Sequence, residues 1–211
     1  MELWPAFTRC VDGQLSLRRT ARRLGFHPST AFRWRHRLLS DWRRSDRTVL
    51  TGHVHLQRAW FAHSEKGRRP AGRAARRHGY RYFSHIPRAL RVQVALAWQR
   101  DDATLAEVSS PGGDDPRFPA RALFPRLADI EALFPEPLTP LEGLESIAAP
   151  GGVRVVRRRD FDAPLPPTVL MERSLRRWLR PFRGVATRYL PHYLQWFRSD
   201  LAEARPTLDP P

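Results

Sequence analysis

The sequence predicts a mixed α/β chain in which a small basic helical module precedes a sheet-bearing core and closing helices. Three observations carry this. Leu17–Leu39, LRRTARRLGFHPSTAFRWRHRLL, has apolar residues at helical spacing on both sides of a glycine turn. Val49–Phe61 and Leu90–Trp98 alternate apolar and polar residues in the two-residue period of strands. Leu175, Trp178, Leu179 and Phe182, and then Leu194, Phe197 and Leu201 after Pro191, return to helical spacing.

The opening elements follow from local chemistry. A short helix is expected within residues 1–15 around Trp4, Phe7 and Val11. Ser16 can cap the next helix, in which Leu17, Ala21 and Leu24 share one face and Arg18, Arg19, Arg22 and Arg23 the other. Gly25 can end that helix, since glycine takes the left-handed cap conformation without strain. Pro28 disfavours helix at His27, so Ser29 or Thr30 is the expected cap of the following helix. There Ala31, Trp34 and Leu38, flanked by Phe32 and Leu39, form the inward arc, and Arg35 must snorkel to its edge. Ser29, Thr30, Arg33, His36, Arg37 and Ser40 lie opposite, and Asp41–Arg47 reads as a polar connector.

Two short helices with a glycine-containing turn and an arginine-rich outer face fit a helix-turn-helix. On that reading Ser29, Thr30, Arg33, His36 and Arg37, with Arg18 and Arg22 of the first helix, are the candidate contacts to double-stranded DNA. Arginine reads guanine edges or holds phosphates, and spacing does not decide between them. A basic helical hairpin packed inside a larger domain is the plainer alternative.

Charge supports a polyanionic partner. The 211 residues carry a net charge of +16, and the excess is uneven. Residues 1–80 hold 18 basic against 5 acidic side chains, residues 81–150 hold 7 against 10, and residues 151–211 hold 12 against 6. A basic front end beside a near-neutral middle points to phosphate binding that salt would weaken. Because 36 of the 37 basic residues are arginine, biased codon usage is a second source of the charge. Cys10 is the single cysteine, which excludes an intramolecular disulfide and a cysteine-rich zinc site. No signal-peptide pattern or apolar stretch of spanning length is present, so a reducing cytoplasm, with no membrane partner, is expected.

The middle of the chain is less regular. Glu65–Arg81 is a basic Gly/Arg/Pro loop, and Asp101–Asp102 fits a turn. Pro111 opens a loop, Leu127–Phe134 reads as one short helix, and Val153–Val156 as a short strand. Asp160–Pro167 is again loop, and the segment after Arg205 reads as a disordered tail. His53 and His55 alternate on one strand face but have no third ligand at matching spacing, so a structural role is expected. Gly112–Gly113 and Gly151–Gly152 lack the strand-to-helix context of a nucleotide loop.

TAFRWRHRLL at Thr30–Leu39 and FRGVATRYLPHYLQWFR at Phe182–Arg198 together resemble a bacterial DDE-type insertion-sequence transposase. That family joins a helix-turn-helix to a ribonuclease-H-like catalytic core, and the order of strands and basic loop over residues 49–108 is similar. The N-terminal zinc ribbon common in the family has no counterpart among these residues. The resemblance implies a helix-turn-helix over 1–48, a ribonuclease-H-like mixed-sheet core over 49–205 and a tail over 206–211.

It also implies metal-dependent phosphoryl transfer, with Mg²⁺ as cofactor if the core is active. Carboxylates from separate strands and a late helix would converge on two ions that serve the attacking and leaving oxygens. In the family the first ligand is the Asp of Val-Glu-Ala-Asp-Glu-Thr-Tyr-Phe, and Val54–Phe61 matches that segment with Gln57 at the ligand position. Arg58 beside it would add a repelling charge. The second ligand maps to Glu142 within Leu141–Gly143, as a candidate catalytic and metal-binding residue. The third maps to Val169, and Glu172 one helical turn later is the local rescue.

The resulting expectation is a transposase-like protein that binds element ends, with catalysis impaired. The alternatives are an active transposase using displaced carboxylates such as Asp101, Asp102, Glu142 or Glu172, and a non-enzymatic regulator of element ends. Homo-oligomers or an active transposase are the expected protein partners.

Overall fold

Ser16 accepts a hydrogen bond from the Arg19 amide and so starts a helix where one is expected. It is the second of six α-helices given below among the described residues of a computed structural model, which are residues 3–65, 87, 90–99, 103–110, 112, 115–136, 139, 144, 153–156, 166–182 and 184–203. The expected basic loop after Glu65, the Asp101–Asp102 turn, Glu142 and the tail lie outside the described residues, as does nearly all of the Asp160–Pro167 loop.

The helices are α1 (Leu3–Asp12), α2 (Leu17–Leu24), α3 (Pro28–Ser45), α4 (Phe118–Leu123), α5 (Pro167–Leu179) and α6 (Leu190–Glu203). The strands are β1 (Leu50–Ala62), β2 (Arg91–Gln99), β3 (Thr104–Val108), β4 (Leu127–Pro135) and β5 (Arg154–Val155). No helix among the described residues is long and apolar enough to cross a membrane. The contacts divide the chain into two compact units, one from Met1–Asp46 with His192–Pro211 and one from Arg47–Pro191. The expected division ran 1–48 and 49–205.

In the first unit, α1 buries Phe7, Cys10 and Val11, as its apolar spacing requires. Trp4, Phe7, Phe26 and Trp34 form an aromatic cluster with ring centroids 5.3 to 6.3 Å apart. Gly25 ends α2 at φ 73°, with its amide bonded to the Ala21 carbonyl. Three local expectations are corrected in α3. Its cap is His27, whose Nδ1 accepts from the Ser29 amide, with Pro28 as the first helical residue where a missing N–H costs nothing. The helix continues through the expected connector to Ser45, because Asp41–Ser45 holds no breaker and Arg44 pairs with Asp41 at 2.6 Å. Finally, Arg35 does not snorkel: it is 1% exposed.

The second unit is a five-stranded sheet in the order β3-β2-β1-β4-β5. β1, β2 and β3 run antiparallel, whereas β4 lies parallel to β1 and β5 parallel to β4. The sheet is mixed, as the expected α/β class requires. One face buries Leu50, Val54, Leu56, Ala95, Ala97 and Leu105 beneath Phe118, Ala120 and Leu123 of α4. Helix α5 packs on β1 and β2. Each buried Leu, Val or Phe side chain there contributes about 1.5–3 kcal/mol relative to exposure.

The helix expected at Leu127–Phe134 is instead strand β4. Leu127, Ile130 and Leu133 suggest helical spacing only because β4 is irregular. Its register against β1 shifts on either side of Gly52, and Asp129 sits at φ 47°. Two inserted residues therefore disguise a strand whose Ala132 and Leu133 are both buried, as parallel strands covered on both faces are.

Candidate nucleic-acid interface and carboxylate site

Helices α2 and α3 present the arginines outward. Arg18 and Arg22 are one turn apart and exposed on α2, and Ser29, Arg33 and Arg37 are exposed at four-residue intervals on α3. Thr30 is half-buried on the first turn of α3. Phe7, Phe26 and Trp34 pack behind the hairpin, so the arginines project from a supported face.

His36 is set apart from them. It is half-buried, with its ring edge-on to Phe32 at 4.3 Å and its Nδ1 3.4 Å from Nδ1 of His192 on α6. Tyr193 also faces it, with ring centroids 6.0 Å apart. Burial lowers the pKa of His192 from its ordinary 6.5, and the nearby Arg43 charge lowers it further. Arg35 lies deeper. Its guanidinium donates to the Leu15 carbonyl at 2.6 Å and sits 5.2 Å from the Trp196 ring centroid. Desolvation lowers its pKa, opposed by the charge and hydrogen bonding of Tyr193.

The second cluster lies in the sheet unit. The ladder between β1 and β4 ends at Leu56 opposite Pro135, and the Glu136 amide donates to the Leu56 carbonyl at 2.8 Å. Continuing that register sets Glu136 beside Gln57, on the same face of the sheet. Both meet α5 there. Glu136 Oε1 accepts from the Thr168 hydroxyl at 3.1 Å, and the Gln57 amide donates to Glu172 Oε2. Thr168 and Glu172 are one helical turn apart. Glu136 is 6% exposed and sits at the N-terminal turn of α5, where the helix dipole favours negative charge.

Glu142, where the family resemblance puts the second ligand, is outside the described residues. The carboxylate that does stand beside Gln57 and Glu172 is Glu136, which sequence reasoning missed. Its signal depends on the correct secondary structure: it directly follows β4, whose sequence spacing suggests a helix. Val169 is half-buried on α5, three residues before Glu172, and has no polar side-chain group to offer.

Arg58 also takes a different place from the one expected. Its guanidinium lies 4.9 Å from the ring of Trp60, two residues along the strand, so it projects from the face opposite Gln57. The cation at the site is Arg176. Its Nε and Nη2 donate to Glu172 Oε1 at 2.8 and 2.6 Å. Nη2 also donates to the Trp60 carbonyl at 2.8 Å, and Cζ lies 4.5 Å from the Phe61 ring.

These residues fit a divalent metal poorly. Gln57 offers a neutral oxygen, Oε1, which is buried without a hydrogen-bond partner. Glu172 already has both oxygens engaged. Among the described residues, no group of three or more His, Cys, Asp or Glu side chains could hold a metal ion. His53 and His55 do not form such a group either: His53 pairs with Glu131 at 3.3 Å and His55 stacks on Phe134.

The Gly184–Leu190 segment meets the end of β1. Thr187 exchanges backbone contact with Ser64, donating to its carbonyl at 2.8 Å, and its hydroxyl accepts from the Ser64 amide at 2.8 Å. His63 Nδ1 lies 3.0 Å from the same hydroxyl.

No family model matches this chain, and no curated protein does. Among solved structures it is similar to a pre-cleavage Mos1 transpososome, at 10% identity and a TM-score of 0.36, covering 96% of this chain and 77% of that one. It is also similar to the Mos1 strand transfer complex, at 12% identity and 0.35, covering 96% and 75%. A third is the Mos1 transposase paired-end complex with the left transposon end, at 11% identity and 0.32, covering 95% and 79%.

Proposed function

We propose that this chain is a transposase-like DNA-binding protein of an insertion sequence, with metal-dependent strand transfer impaired. The observation that carries the binding half is the exposed stripe of Ser29, Arg33 and Arg37 along α3, beside Arg18 and Arg22 on α2. A helix-turn-helix docks its second helix in a major groove with the first turns against base edges; Ser29 and Arg33 lie on the first two turns of α3, and Arg37 on the next. The partner is double-stranded DNA at element ends, bound by this chain alone, as a homo-oligomer or beside an active transposase.

The impaired half rests on Gln57 and Val169 at two of the three ligand positions and on the neutralised Glu172. Phosphoryl transfer through two ions needs several unpaired carboxylates around one point. Here Glu136 and Glu172 are the acids that flank Gln57 among the described residues, and Glu172 is held by Arg176.

Two measurements test this reading. Full-length protein should bind a terminal repeat more tightly than random duplex at physiological salt, and equal affinity for both would remove the element-end assignment. The same duplex should survive incubation with Mg²⁺ or Mn²⁺. Nicking abolished by Glu136→Ala or Glu172→Ala would instead establish an active enzyme.

A further inference from the structure

Arg176 makes more contacts than a helix-surface arginine needs. Its pairing with Glu172 alone would be an ordinary i, i+4 helix pair in the favourable orientation, worth little when half-exposed. Beyond that pair, the same guanidinium reaches across to β1, where it bonds the Trp60 carbonyl and covers the Phe61 ring. Gln57 of the same strand bonds the other oxygen of Glu172. A positive charge therefore sits where it neutralises the α5 carboxylate and ties α5 to β1.

We propose that Arg176 is a tethered cation that takes over the neutralising and strand-to-helix bridging role of the divalent ion implied by the family resemblance. The inference rests on reading the core as transposase-like. Three features support it. Gln57 replaces a negative ligand by a neutral one, which removes the excess charge a second cation would balance. The guanidinium holds Glu172 Oε1 through both Nε and Nη2, so that oxygen already accepts two charge-assisted hydrogen bonds. A divalent ion at Glu172 would have to displace an arginine also held by a backbone carbonyl and an aromatic face.

The test is Mn²⁺ titration of the full chain, read by the electron paramagnetic resonance of free Mn²⁺. Wild type should show no saturable site at millimolar Mn²⁺. Gln57→Asp with Arg176→Ala should gain one at least tenfold tighter than either single variant, and Glu172→Gln in that background should abolish it. A saturable wild-type site that is lost in Glu172→Gln would overturn the proposal. So would a double variant with wild-type circular dichroism and no gained site. The wild-type titration needs no variant, so misfolding of the double variant leaves the proposal open to refutation. Duplex binding through α3 is measured alongside and should be the same in all these proteins, which separates failure here from failure of the DNA-binding reading.

Discussion

Arg198 of α6 and Asp46 at the end of α3 form an ion pair of 2.7 Å in which the two side chains are 9% and 8% exposed. Arg198 Nη1 also donates to Gln195 Oε1 at 2.9 Å, one turn away on α6. A pair this shielded gains strong attraction but has lost its hydration, so its net worth is small while the penalty for breaking it is large. Asp46→Ala should therefore destabilise the N-terminal unit by about 3–5 kcal/mol, measured by urea unfolding. Asp46→Leu with Arg198→Met should recover most of that loss. A single variant that costs nothing would show the pair to be solvated.

Acid should loosen the contact between α3 and α6. His192 has a folded pKa below its unfolded value of 6.5, because of burial first and Arg43 second. Its neutral form thus contributes stability that is fully present above pH 6.5 and declines as pH falls from there towards the folded pKa. Its Nδ1 lies 3.4 Å from that of His36, and the Arg43 charge acts on it in the same direction as burial. Melting temperatures at pH 8 and pH 5.5 should differ by more in wild type than in His192→Gln. Equal differences would remove His192 as the titrating group.

Helix α2 and its closing turn were legible because their signals are local: Ser16 and Gly25 cap α2 through contacts within a few residues of themselves. Strands β1 and β2 were legible for the same reason, since alternation is written in adjacent residues. What escaped depends on distant partners. β4 is a strand because β1 and β5 flank it, and its bulges hide the alternation. Arg35 can be buried because Leu15 and Trp196, far away in sequence, receive it. Gln57 and Glu172 were both singled out from the sequence, yet their pairing, and the presence of Glu136 and Arg176 beside them, required the register of β1 against β4 and the placement of α5.

Gly25 offers a clean backbone test. It occupies the left-handed region at φ 73°, and a Cβ built on it would meet no heavy atom within 4 Å. Any cost of Gly25→Ala is therefore conformational rather than steric crowding by neighbours, about 1–2 kcal/mol. Gly25→Asn should cost less, because asparagine tolerates this region better than alanine. A thermal melt of both variants checks the order, and equal losses would point to some other role for the turn.

The arginines of α2 and α3 should separate into two classes when duplex binding is measured against salt. Arg33 and Arg37 lie on the helix that would enter the groove, whereas Arg18 and Arg22 lie on the helix that would cross the backbone. Loss of a base contact costs about 1–3 kcal/mol and relaxes preference at one position. Loss of a phosphate contact weakens all sequences alike and reduces the salt slope by about 1. Arg33→Ala or Arg37→Ala should accordingly narrow the gap between a terminal repeat and random duplex. Arg18→Ala or Arg22→Ala should preserve that gap and flatten the salt dependence. His36→Ala should do neither, since His36 is turned towards Phe32, His192 and Tyr193, and its effect should appear in stability. If all four arginine variants behave alike, the hairpin binds phosphates only, and the sequence preference must come from elsewhere in the chain.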